Sequence, residues 1–116
     1  MAVHPLQVPE LAADFSAVCP SRLLEWYEEE ECCVLLRPRL RSSRIARWVT
    51  SLGGDPFYRI RLDEVGTVVW KACDGRTSLA EICKKLRERF GREAEPVEER
   101  LAEFVRNMLK GRILKI

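Results

Sequence analysis

Three short stretches in the first half of the chain have the apolar content of β-strands. Residues 22–29 and 32–37 are apolar-rich and are separated by Glu30 and Glu31, which predicts a β-hairpin. The turn has no Asn-Gly signal, so the sequence leaves the register of the hairpin open. Residues 57–62, FYRIRL, alternate apolar and polar side chains and therefore predict a third strand.

Residues 38–55, between the second and third strands, have a helical period instead. The stretch is rich in arginine, and its only acidic residue is its last one. Apolar residues recur at the spacing of one face of a helix, and they are Ile45, Trp48, Val49 and Leu52. Ser42 or Ser43 can cap the start of this helix, and Gly53-Gly54 can end it. We therefore expect an arginine-rich helical insert at about 38–55.

The second half of the chain predicts three helices, the first two bounded by clear end signals. Asp63 stands at the N-cap of the first, and Asp74-Gly75 ends it. Ser78 and Glu81 have the spacing of a capping box at the start of the second, which Gly91 ends. Residues expected on the buried faces are Val65, Val68, Val69 and Ala72 or Cys73, with Trp70 near the edge, and then Leu79, Ile82, Cys83, Leu86 and Phe90.

The third helix is expected to begin near Pro96, a favourable first-turn residue, and to end at Gly111. Acidic residues cluster in its first turn, where the helix dipole favours them; they are Glu95, Glu98 and Glu99. Its apolar positions are Val97, Leu101, Phe104, Val105, Met108 and Leu109. The last residues, 112–116, predict a short terminal strand or tail.

These elements predict an α+β fold, in which a small three-stranded antiparallel sheet is packed on a three-helix, winged helix-turn-helix-like bundle. The length of 116 residues fits one domain, which we place at 22–116. Residues 1–21 contain three prolines and little periodicity, so they are interpreted as an N-terminal arm, with one turn of helix around Leu11 to Phe15.

Composition limits the chemistry that the chain can perform. The net charge of +2 does not by itself indicate nucleic acid or membrane binding. No apolar run approaches the roughly 18 residues of a membrane span, and the first residues lack the pattern of a signal peptide, so we expect a cytoplasmic protein. His4 is the only histidine, which excludes a histidine-based triad or multi-histidine metal site. We therefore expect no enzyme, no metal and no cofactor.

The five cysteines do not form a recognisable site. Their number is odd and no two have C-x-x-C spacing. We interpret them as small hydrophobic residues of the core in a reducing compartment.

The segment LDEVGTVVWKACDGRTSLAEICKKLRERFG resembles the PqqD family, small peptide-binding domains that are also called RiPP recognition elements. The matching residues are Leu62-Asp63-Glu64, Gly66, Trp70, Asp74-Gly75, Thr77, Glu81-Ile82 and Leu86. A third helix and a Gly-Arg-Ile-Leu ending follow, as in the family. The resemblance is strong over 57–116 and looser over 22–37, and the arm and the insert depart from the short form of the family.

The resemblance implies a binding module that holds the leader segment of a ribosomally made precursor peptide and presents it to a modifying enzyme, often a radical SAM enzyme. In the family the leader adds as a strand to the third strand and packs against the third helix. The implied contacts here are Phe57, Tyr58, Arg59, Ile60, Arg61, Arg100, Leu101, Val105 and Leu109. The third strand and the third helix would form a groove for the leader, and arginines on or near it, including Arg106, favour an acidic leader. The sequence does not decide whether the domain serves quinone cofactor synthesis, the synthesis of another peptide product, or a role that no longer involves peptide modification.

Two alternatives remain at this point. A helix-turn-helix domain can bind DNA or regulate another protein, but acids in the first turn of the third helix would repel phosphates, so we expect no nucleic acid partner. For the insert, packing of Trp48 onto the domain or between two copies in a homodimer is favoured over docking on a partner enzyme. Stable membrane insertion is not expected, because the apolar stripe is short.

Overall fold

The structure, a computed structural model, describes residues 15–39 and 43–116. Its elements in chain order are β1 (Ser21–Arg22), β2 (Glu25–Glu29), β3 (Cys32–Pro38), α1 (Ser43–Ser51), β4 (Phe57–Arg61), α2 (Glu64–Ala72), α3 (Leu79–Phe90), a 3₁₀ turn (Gly91–Ala94), α4 (Val97–Lys110) and β5 (Leu114–Lys115). The predicted α+β fold is confirmed: a three-stranded antiparallel sheet is followed by three helices. The predicted helix in the insert is also present, as α1.

The described residues form two compact units. One comprises residues 24–67, and the other comprises residues 15–23 together with 68–116. The boundary falls inside α2, so this helix contributes to both units. The division of the chain into an arm at 1–21 and a domain at 22–116 stays a prediction, and the helical turn predicted at 11–15 lies outside the described residues except for Phe15.

The unit of residues 24–67 contains the sheet, in the order β2-β3-β4. The β2–β3 hairpin pairs Glu29 with Cys32, which leaves only Glu30 and Glu31 in the turn. Both turn residues have positive φ, 51° and 65°, as a two-residue turn of the primed type requires. Two glutamates therefore occupy positions where Asn and Gly are normally found.

One sequence-based strand boundary is corrected by the pairing. The predicted strand at 22–29 divides into β1, which pairs with β5, and β2, which pairs with β3. Leu23 lies in the break and donates its amide to the carbonyl of Ile113 at 3.0 Å. The predicted terminal strand is present as β5.

The start of α2 is fixed by Asp63, as predicted. Its carboxylate accepts from the amide of Gly66 at 2.7 Å, and its carbonyl accepts from the amide of Thr67 at 2.9 Å. A Cβ at Gly66 would lie 3.1 Å from this carboxylate, which explains the absence of a side chain there. The hydroxyl of Thr67 accepts from the amide of Cys33 at 2.9 Å and so ties α2 to β3.

The start of α3 uses both the predicted capping box and a segment that the sequence did not connect to it. The hydroxyl of Ser78 accepts from the amide of Glu81, and the Glu81 carboxylate accepts from the amide of Ser78. The amides of Leu79 and Ala80, which have no acceptor within the helix, donate to the carbonyls of residues 18 and 15 at 2.9 and 3.0 Å. The described part of the predicted arm therefore completes this helix terminus.

Asp74-Gly75 ends α2 as predicted and also contacts the N-terminal segment. Gly75 has φ of +80°, and a Cβ there would lie 2.6 Å from the hydroxyl of Ser21. Arg22 donates to the last carbonyls of α2, at Trp70 and Lys71. Trp70 itself was expected near the edge of the buried face, but its side chain is 0% exposed.

Helix α1 is less packed than the sequence predicted. Trp48 and Leu52 are 64% and 70% exposed, so neither side chain is buried against the described residues. Contact between two copies is the remaining part of that hypothesis. Gly53, with φ of +87°, ends the helix as expected, whereas the serine cap predicted at its start involves side chains outside the description.

Two of the acids around the start of α4, Glu95 and Glu98, are paired, which the sequence did not predict. Arg87 of α3 donates to both Glu95 and Glu98 at 2.7–3.2 Å. These hydrogen bonds lower the pKa of Glu95 and Glu98 below the usual glutamate range.

The predicted start of α4 is confirmed, since Pro96 is its N-cap. Gly111 is its C-cap, but the positive φ of 56° falls on Arg112.

Candidate functional site

The alternation of hydrogen-bonded and non-hydrogen-bonded pairs between β3 and β4 decides which backbone groups of β4 face outward, away from β3. At one end the amide of Leu62 donates to the carbonyl of Cys33 at 2.9 Å, and at the other the amide of Arg39 donates to the carbonyl of Pro56 at 2.8 Å. Both bonds belong to one continuous antiparallel register. Hydrogen-bonded and non-hydrogen-bonded pairs alternate in such a register. The amides and carbonyls between these two ends therefore alternate in direction as well.

It follows that Tyr58 and Ile60 direct their backbone groups toward β3. Phe57, Arg59 and Arg61 direct theirs to the opposite edge, where the described sheet has no further strand. The β2–β3 hairpin leads to the same assignment. Because its turn has two residues, the backbone groups of successive β3 residues point in turn to β2 and to β4.

The outward amide of Phe57 already has a partner. The carboxylate of Asp55 accepts from it at 2.9 Å. The outward groups of Arg59 and Arg61 lie two residues apart, about 6.8 Å along the strand at 3.4 Å per residue. Within the part of the chain that the structure describes, this edge therefore presents two open backbone positions rather than three.

Side chains of β4 divide between the two faces of the sheet. Ile60 is opposite Leu35, which is fully buried, and Tyr58 is on the same face. Tyr58 is exposed, and the guanidinium of Arg39 lies 4.7 Å from its ring centroid. Phe57, Arg59 and Arg61 are on the other face. The positive charge on this face therefore lies beside the open backbone groups of the edge.

Both arginines are paired with carboxylates of the same unit. Arg59 forms an ion pair with Asp55, and Arg61 forms one with Glu30 at 3.2 Å. The two arginine side chains remain 50% and 46% exposed. Exposed pairs of this kind contribute about 0–1 kcal/mol each, so an incoming carboxylate can replace them.

The predicted helix contacts lie in the other unit. Leu101 and Val105 are buried, at 2% and 0% exposed, so a peptide contact with either side chain stays a prediction. Leu109 is half-buried. Arg100 is exposed, but it donates to the carbonyls of Glu93 and Ala94 at 3.0 and 3.4 Å. A peptide contact that combines β4 with α4 stays a prediction.

The described residues offer little other chemistry. Among residues 15–39 and 43–116, no cluster of histidine, cysteine or acidic residues has the geometry of a metal site. Three cysteines are buried, as expected, whereas Cys19 and Cys32 are half-buried. Burial raises the pKa of Cys73 to about 12 and that of Cys83 to about 11, so neither is a ready nucleophile. No helix in the described ranges is long and apolar enough to cross a bilayer.

Sequence reasoning found the strand but missed the groups that modify its edge. In the sequence, Asp55 marks only the end of the insert. Its spacing to Arg59, four residues, was visible, but that spacing implies a side-chain pair in a helix and not before a strand. The pairing of Glu30 with Arg61 joins residues 31 positions apart and has no local signal.

Comparison with known proteins gives one match. A family model described as Coenzyme PQQ synthesis protein D (PqqD) matches residues 32–114, from the start of β3 into β5. A search of the curated proteins and a search of the solved structures found no match. The family consists of non-catalytic accessory proteins with peptide and enzyme partners. Because the match covers most of its length, the chain belongs to the PqqD family.

Proposed function

We propose that the chain binds the leader segment of a ribosomally made precursor peptide as an added strand on β4, and presents it to a modifying enzyme. The observation that carries this proposal is the pair of outward backbone positions at Arg59 and Arg61, on a strand that ends its sheet. Unpaired strand edges are a common site of peptide recognition, because an extended peptide satisfies the open amides and carbonyls.

The backbone contribution can be estimated from these positions. Arg59 and Arg61 each offer one amide and one carbonyl, so an added strand gains up to four hydrogen bonds. At about 0.5–1.5 kcal/mol net for each bond, the ladder contributes roughly 2–6 kcal/mol. Micromolar binding requires about 8 kcal/mol. Side-chain contacts must therefore supply the remainder and the sequence selectivity.

The second partner is proposed from the family. PqqD proteins work with a peptide and a modifying enzyme, and we propose a radical SAM enzyme or another peptide-modifying enzyme here. The chain would act by holding the leader, as expected of a member of a non-catalytic accessory family. It would raise the local concentration of the peptide at the enzyme.

The test is selection from a displayed library of unstructured 12-residue peptides, followed by binding measurements on variants. Arg59→Pro removes one outward amide and leaves the inward ladder to β3 intact, since proline is tolerated on an edge strand. Arg59→Ala is the matched control, because it removes the same side chain and keeps the amide. Ile60→Pro is unsuitable: its amide faces β3, and the substitution would break the sheet itself.

Selected peptides are expected to lose about two- to tenfold in affinity with Arg59→Pro relative to Arg59→Ala, which corresponds to one hydrogen bond of about 0.5–1.5 kcal/mol. Circular dichroism and thermal unfolding of both variants serve as the control that each is folded. Equal binding of peptides to the two folded variants would contradict strand addition at this edge.

A further inference from the structure

The two outward arginines of β4 are each held by a carboxylate that comes from outside the strand. Asp55 precedes β4 and contacts Arg59, and Glu30 lies in the β2–β3 turn and contacts Arg61. The two arginines are on the same face, two residues apart. A peptide that lies along this edge meets both of these charges.

We infer that β4 selects extended peptides with two carboxylates at positions i and i+2, and that Asp55 and Glu30 occupy the places that these carboxylates take. The inference rests on the proposed function, and it specifies the chemical class of peptide that the same edge accepts. Asp55 is then a specificity-determining residue that competes with the ligand.

The i, i+2 spacing follows from the geometry of paired strands. Residues directly opposite each other on neighbouring strands have Cβ atoms about 4.5–5.5 Å apart and lie on the same face. Side chains opposite Arg59 and Arg61 are therefore two residues apart in the peptide. The residue between them is on the face of Ile60 and exposed Tyr58, where an apolar side chain is favoured.

Asp55 competes with the peptide at two points. One carboxylate oxygen accepts from the outward amide of Phe57, and the other contacts Arg59. A ligand that extends past Arg59 must displace both contacts. Glu30 has an 82% exposed side chain and a single described contact to Arg61, so it is the weaker competitor.

The charge of the sheet also distinguishes its two outer strands. Strand β2 carries Glu25, Glu28 and Glu29 and continues into the two glutamates of the turn. These acids repel an acidic peptide, whereas β4 attracts it. The inference therefore assigns an acidic strand to β4 in preference to β2.

The test compares three synthetic peptides of 12 residues in one threonine-valine host, by fluorescence anisotropy. The first has two glutamates at i and i+2, the second has two at i and i+1, and the third has glutamines at i and i+2. The first two have the same charge, but adjacent glutamates point to opposite faces. Proteins are the wild type, Asp55→Ala, Asp55→Asn, the double variant Arg59→Gln/Arg61→Gln, and Arg59→Pro.

The i, i+2 peptide is expected to bind wild type about fivefold tighter than the i, i+1 peptide, which corresponds to one additional exposed ion pair. The preference is expected to disappear in the double glutamine variant. Asp55→Ala should strengthen binding of the i, i+2 peptide two- to fivefold. Asp55→Asn keeps an acceptor for the amide of Phe57 and should give a smaller gain.

Equal binding of the two acidic peptides to wild type overturns the inference. If they bind equally and both are lost with Arg59→Pro, strand addition stands and only the charge selection fails. If Arg59→Pro leaves the binding of all three peptides unchanged, strand addition on β4 fails with it. Weaker binding to Asp55→Ala than to wild type would show that Asp55 assists the ligand and does not compete with it.

Discussion

Replacement of Glu31 by glycine should stabilise the protein, because the β2–β3 turn places a side chain where the backbone disfavours one. Glu30 and Glu31 have φ of 51° and 65° in a turn with only these two residues. Glycine adopts this region freely, whereas other residues do so with strain. The same turn sets the register of β3 and, through β3, the phase of β4.

The expected gain is the difference between two opposing effects. A left-handed backbone costs about 1–2 kcal/mol for a residue with a Cβ. Glycine adds about 0.5–1 kcal/mol of conformational entropy to the unfolded chain. The net effect of Glu31→Gly is therefore a gain of up to about 1.5 kcal/mol in the free energy of unfolding, with a central value of about 0.75 kcal/mol.

Urea unfolding followed by circular dichroism measures this gain, with Glu31→Ala and Glu28→Gly as controls. Glu31→Ala removes the same charge but keeps the Cβ, so Glu31→Gly should unfold at a higher urea concentration. Glu28→Gly places glycine inside β2, where it should destabilise by about 0.5–1 kcal/mol. If Glu31→Gly is no more stable than Glu31→Ala, the turn geometry described here is incorrect.

Three further predictions concern the helices and the thiols. Ser78→Ala removes the cap of α3 and should lower the free energy of unfolding by about 1 kcal/mol in urea, whereas Ser78→Asn should lose less. Amides in the following turn donate to the carboxylate of Asp74 and lower its pKa. The ionised carboxylate therefore stabilises the fold fully above the ordinary aspartate pKa, and this stabilisation is lost as pH falls through the lower pKa of the folded state. Acid should therefore lower the melting temperature of wild type more than that of Asp74→Asn. A thiol reagent at neutral pH should react with Cys19 and Cys32 well before Cys73 and Cys83, and labelling sites are read by mass spectrometry.

Local signals allowed the helix ends to be predicted from the sequence. The cap at Asp63 and the capping box of Ser78 and Glu81 depend on residues three positions apart, which any reader of the sequence can see. The break at Asp74-Gly75 was predictable for the same reason. The hydrogen bonds from the start of α3 to the carbonyls of residues 15 and 18 could not be predicted in this way. They join residues more than 60 positions apart, and such contacts depend on the tertiary fold.

The edge of β4 shows the same limit. Alternation in residues 57–61 predicts which side chains share a face. It does not predict which amides point outward, because that depends on the register, and the register depends on a turn of two glutamates with no sequence signal.

Residue-resolved hydrogen exchange by NMR tests the central claim most directly. In the free protein the amides of Arg59 and Arg61 should exchange rapidly, while those of Tyr58 and Ile60 are protected by β3. Addition of an acidic peptide that binds should slow exchange at Arg59 and Arg61 by at least tenfold and leave the inward pair unchanged. If a bound peptide leaves both outward amides exchanging at the free rate, the ligand does not add to β4 as a strand.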